Sequence, residues 1–283
     1  MNRRRQPFFY AVLLIVFVAA ARADPSSENV SSALAAAYRV SYYAASIVLA
    51  AAPFVLAGAL ASFAVLRLRL RGTIALLAAA LAPGCDCSMN GFAPALTRSP
   101  APLAGAALVF GAACNPLALA TTAAVLGIHL TAARAAGAAA AAGTLWFLWR
   151  WWGREPEARD VHASCADDSR MVTHLERGLR SLVPAALVGA LLAALFAGRL
   201  PAHASAPIAA MIGAALSPCS SADPVLASVL GREAPTQAAF MIASQCLDVR
   251  LLALLHRHFG PRRTLLAAIA GTCGCVAGAL VAR

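Results

Sequence analysis

The chain has 283 residues, 61% of them hydrophobic and 12% charged, with a formal charge of +11. Its apolar runs are long and continuous, which excludes a soluble globular enzyme and an alternating-pattern β-barrel. All of the Lys+Arg charge is arginine, mostly flanking apolar runs, so it reads as membrane topology and headgroup contact rather than nucleic-acid binding.

The N-terminus opens with a basic stretch, Asn2 to Arg5, then an apolar run from Phe8 to Ala20, then Ala21-Arg22-Ala23. That layout predicts a cleaved signal peptide over 1–23, with a retained signal anchor as the alternative. Eight predicted apolar segments follow, at 40–66, 72–96, 102–127, 132–152, 179–197, 205–230, 234–256 and 263–282. One polar link, 153–178, mixes acids with arginines and divides the chain into a first transmembrane unit, 24–152, and a second, 179–283. The eight cysteines lie mostly in apolar segments, so they do not form a secreted disulfide framework.

The two units share short matches, at offsets of 131 and 132 residues. Pro53 and Gly58-Ala59-Leu60 align with Pro184 and Gly189-Ala190-Leu191, and Cys87-Ser88 with Cys219-Ser220. The expected fold is all-α: a polytopic transmembrane helical bundle of two repeats, each of about four apolar segments, with broken helices at the Cys motifs. Basic turns at Arg67–Arg71 and Arg257–Arg263 are expected on the cytoplasmic side. Both parallel repeats and inverted repeats with re-entrant 72–96 and 205–230 satisfy that charge pattern, so it leaves both open.

Chemistry concentrates at two places. The first reads Pro83-Gly84-Cys85-Asp86-Cys87-Ser88 and leads through an apolar run to Cys114-Asn115-Pro116. The second reads Pro218-Cys219-Ser220-Ser221-Ala222-Asp223-Pro224 and leads to Cys246-Leu247-Asp248. Pro and Gly break helices, and backbone opened at membrane depth survives only when buried in protein or lining a wet cavity. Thiols at a helix start favour the thiolate, and thiolates favour soft metals and trivalent metalloids. An acid at a span centre costs about 2.5–3.5 kcal/mol on insertion scales, so Asp223 and Asp248 need a cavity, a partner or a proton path. The plainer readings are that the cysteines are small packing residues, that the acids cap helices or pair with Arg250, and that Asn115 satisfies backbone freed by Pro116. The Ala-rich run 132–143 reads as packing surface, and Gly274 and Gly278 as a close helix contact.

These residues resemble a bacterial predicted-permease family that includes the trivalent organoarsenical exporters. Pro83, Cys85, Cys87, Pro94, Asn115 and Pro116 fit its first motif; Cys219, Ser220, Ala222, Asp223 and Asp248 fit its second. Ser88, Met89-Asn90-Gly91 and Gln245-Cys246-Leu247 depart from its usual pattern. The resemblance implies a multi-pass inner-membrane permease, not an enzyme, that moves a small thiophilic or metal- or metalloid-related solute. Its solute would meet Cys85, Cys87, Asn115, Cys219, Ser220, Asp223 and Asp248 between the repeats, with Cys85, Cys87 and Cys219 as ligands for a soft metal or metalloid. Expected partners are membrane lipid and a small solute or ion, with a homo-oligomer left open and no nucleic acid or cofactor. Two other readings compete: a membrane thiol–disulfide oxidoreductase working through the same cysteines, and a structural subunit of a larger complex.

Overall fold

A computed structural model of the chain describes residues 73–81, 99–153, 205–216, 223–230 and 233–283, with isolated positions at 60, 63, 64, 67, 96 and 220. The signal segment, Cys85, Cys87, Cys219 and nearly all of the polar link lie outside the described residues. Among the described residues the secondary structure is entirely helical. In chain order the helices are α1 (Thr73–Leu81), α2 (Ala101–Cys114), α3 (Pro116–Leu126), α4 (Ile128–Trp151), α5 (Ala206–Leu216), α6 (Asp223–Leu230), α7 (Ala234–Cys246), α8 (Val249–Phe259) and α9 (Pro261–Val281).

Among the described residues, three helical runs are long and apolar enough to cross a membrane: Ala101–Leu126, Ala234–Phe259 and Pro261–Val281. Two of them are interrupted. Pro116 has no N–H and so starts α3 instead of continuing α2. The second interruption falls at Leu247 and Asp248, with no proline there, and separates α7 from α8. Cys114 ends α2 and Cys246 ends α7, so the two breaks stand 132 residues apart.

The helices after the breaks end alike. Gly127 and Gly260 both take φ 86°, with ψ 173° and 169°, a backbone region essentially reserved for glycine. Each is followed four residues later by a threonine, Thr131 or Thr264, whose hydroxyl donates to the glycine carbonyl at 2.9 Å. A single residue thus reverses the chain, and α4 packs back on α2 and α3 as α9 packs back on α7 and α8. Likewise α1 packs on α2, and α5 on α7.

The two sets meet along α4 and α9, which run antiparallel. A Cβ on Gly278 would lie 3.1 Å from the Ala133 carbonyl, and one on Gly274 would lie 2.7 Å from the Gly137 carbonyl. At the far end Trp149 Nε1 donates to the Arg263 carbonyl at 2.9 Å. Only Gly and Ala permit backbones this close, and in lipid such close packing drives helix association. The expected close contact at Gly274 and Gly278 is therefore made, against α4.

The core follows this plan. Its larger part is lined by Leu108, Leu145, Ile242, Leu251 and Leu255, which come from both sets. At the Arg257–Arg263 end, Trp149 gathers several elements. Its ring underlies Gly105 of α2, stacks at 5.1 Å from Phe259 of α8, and lies 5.7 Å below the Arg263 guanidinium. Arg263 Nε in turn donates to the Gly153 carbonyl at 2.9 Å, closing a clasp between the end of α4 and the start of α9.

Candidate functional site

The break at Pro116 leaves carbonyls of α2 without their usual partners, and two of them are met by side chains. Ala112 would bond the nitrogen of residue 116, which carries no hydrogen, and Ala113 would bond that of Leu117. Asn115 attends to the first: its Nδ2 donates to Ala112 O at 3.4 Å. Its Oδ1 accepts from Ala118 N at 2.8 Å and so caps α3. One buried amide closes both sides of the break, in line with the plainer reading of Asn115.

The second carbonyl is taken by Arg134, which sits on α4 and is 0% exposed. Its Nε donates to Ala113 O at 2.7 Å. Its Nη1 reaches Thr122 Oγ1 of α3 at 3.0 Å. The fork then closes on Asp223, Nη1 to Oδ1 at 2.8 Å and Nη2 to Oδ2 at 2.9 Å. This is the bidentate geometry in which guanidinium and carboxylate bind most strongly. Asp223 is also 0% exposed and begins α6. Its Oδ2 accepts in addition from Gln245 Nε2 at 3.0 Å and Ser244 Oγ at 3.2 Å, both on α7. The carboxylate also sits on the positive end of α6.

Asp223 therefore pairs with Arg134. Arg134 is absent from the sequence-derived site, where it was absorbed into an Ala-rich packing run. The signal available was a lone arginine inside an otherwise uncharged apolar stretch. It lies six residues into a helix of 24, about 9 Å along the axis, too deep for headgroup contact by register alone.

The other predicted residues are placed as follows. Asp248 is 0% exposed and stands directly before α8. Ser220 is 0% exposed and its hydroxyl has no hydrogen-bond partner among the described residues. Cys114 and Cys246 are buried beside the two breaks. Cys85, Cys87 and Cys219 lie outside the described residues, so the soft-ligand part of the site is not placed. Among the described residues no three His, Cys, Asp or Glu side chains gather to hold a metal ion.

The arrangement is a polar cluster sealed inside apolar helices. It joins Asn115, Thr122 and Arg134 of the segments before the polar link to Asp223, Ser244 and Gln245 after it. No family model matches the chain, and neither a curated protein nor a solved structure does. The reading of the site therefore rests on its own residues.

Proposed function

We propose that the chain is a multi-pass permease of the cell inner membrane, built from two inverted repeats with a solute site between them. The observation that carries this reading is the antiparallel pairing of α4 with α9. These two helices follow similar glycine turns, 133 residues apart, and interrupted helices, which supports halves related by a two-fold axis in the membrane plane. Inverted repeats with discontinuous helices at mid-depth are the plan of many secondary transporters, and their sites lie at those breaks.

Of the two topologies left open by charge, this one puts the start of the polar link beside Arg263, on the cytoplasmic side. It makes 72–96 and 205–230 re-entrant. Cys85, Cys87 and Cys219 would supply soft ligation to a thiophilic metalloid or metal solute. Asp248 and the Arg134–Asp223 cluster would supply charge balance.

The chain contains no lysine, and so no P-loop of the usual type, which leaves an ion gradient or a separate partner to drive uphill movement. The test is flux in proteoliposomes loaded with arsenite, a trivalent organoarsenical, Cu(I) or Zn(II). At least one probe should cross faster than in protein-free vesicles, and Cys85→Ser/Cys87→Ser should remove most of that flux. Equal flux in the double serine variant would take the thiols out of the solute path.

A further inference from the structure

Packing alone does not account for the Arg134–Asp223 pair. A buried pair is weak support for stability, since apolar residues of similar volume commonly serve as well or better. An ionised pair kept at membrane depth points instead to a switch or a coupling step.

Three features specify which. The pair crosses the molecule, from α4 before the polar link to α6 after it. It is sealed, both side chains being 0% exposed, so it parts only if α6 leaves α3 and α4 or if one member loses its charge. It is also one-sided. The register of 133 that relates the glycine turns sets Ala267 against Arg134, and the register of 132 between the Cys-Ser pairs sets Gly91 against Asp223. Two inverted halves can exchange conformations to give two states related by the two-fold axis, and only one of these can contain the pair. A guanidinium stays protonated in proteins, so Asp223 is the one member whose charge can change.

We propose that Asp223 carries the coupling ion, a proton, and that its protonation releases α6 from α3 and α4. The proposal rests on the permease reading. In the paired state Asp223 is a carboxylate held by Arg134. One proton from the aqueous phase converts it to a neutral acid, while Arg134 keeps its charge and its bonds to Ala113 O and Thr122 Oγ1. The proton leaves on the opposite side as the pair re-forms, so one proton crosses per cycle and no bond between heavy atoms changes. The groups around Asp223 suit this role. Arg134 is the one charge facing it from α4, and α7 offers the neutral Ser244 and Gln245. Neither α3 nor the rest of α6 carries a titratable residue.

The test is hydrogen–deuterium exchange of the full chain in lipid nanodiscs across a pH series, corrected for intrinsic exchange. In the wild type, exchange within α6 should rise as pH falls. Asp223→Asn, which mimics the neutral acid, should show no pH profile: about tenfold faster than the wild type in α6 at high pH, the equivalent of a tenfold shift in the opening equilibrium, and equal to it at low pH. Arg134→Leu/Asp223→Leu, which removes both charges and keeps the site filled, should fold and should also be flat. A wild-type profile indifferent to pH, or a pH profile that survives in either variant, overturns the proposal. Proteoliposomes that carry none of the probes named above would sink the permease reading and leave the exchange profile standing; a flat wild-type profile would do the reverse.

Discussion

Arg134 shows how a single side chain can be both structural and costly. Its Nε closes a carbonyl opened by Pro116, and its fork neutralises Asp223. Removing either partner strands the other charge in a dry interior. Arg134→Ala and Asp223→Ala should each lose about 3–5 kcal/mol of stability, measured by denaturant unfolding in micelles. Arg134→Leu/Asp223→Leu should recover most of that loss, because no charge is left unpaired. Asn115→Ala should cost about 1–2 kcal/mol through the lost cap on α3. Asn115→Asp should do no better, since it keeps the acceptor for Ala118 N but buries an unpaired acid at a cost of about 2.5–3.5 kcal/mol.

At the scale of elements, the turns at Gly127 and Gly260 do the same work with the same backbone. An L-residue there is strained by about 1–3 kcal/mol, so Gly127→Ala and Gly260→Ala should destabilise by similar amounts in the same unfolding experiment. Unequal penalties would show that the two turns are not equivalent. At the α4–α9 crossing, any side chain on Gly137 would meet the Gly274 carbonyl at 2.8 Å and the tip of Ile242. Gly137→Leu should therefore separate the two helices and leave little protein extractable in folded form.

Both breaks fall inside segments that read as continuous, 102–127 and 234–256; Pro116 hinted at freed backbone in the first, and no proline marks Leu247–Asp248 in the second. The shared Gly-x-x-x-Thr of 127–131 and 260–264 was visible but unremarkable in a chain with 19 glycines. Arg134 was hidden for a different reason. Its partner lies 89 residues away, and local pattern says nothing about contacts that only the fold creates.

At the scale of the whole molecule, charge alone allowed two orientations of the halves, because arginine counts are blind to whether a segment crosses or returns. The antiparallel α4 and α9 settle how those two helices lie against each other. With the Arg257–Arg263 turn in the cytoplasm, residues 127 and 283 face outward, while Gly153 faces inward. Reporter domains should show this: a phosphatase that works only outside should be active when fused after Arg283 and inactive when inserted after Gly153. The opposite result at Gly153 would mean parallel halves. The clasp of Trp149, Phe259, Arg263 and Gly153 then has a mechanical consequence. It fastens α4 to α9 about 22 Å along α4 from Arg134, while the glycine contact at Gly137 and Gly274 fastens the same two helices within a turn of it. Two rods riveted at both ends move as one beam, so any displacement beside the guanidinium falls to α6. Removing one rivet, for instance with Trp149→Ala, would slacken that beam without touching any charged group in the interior.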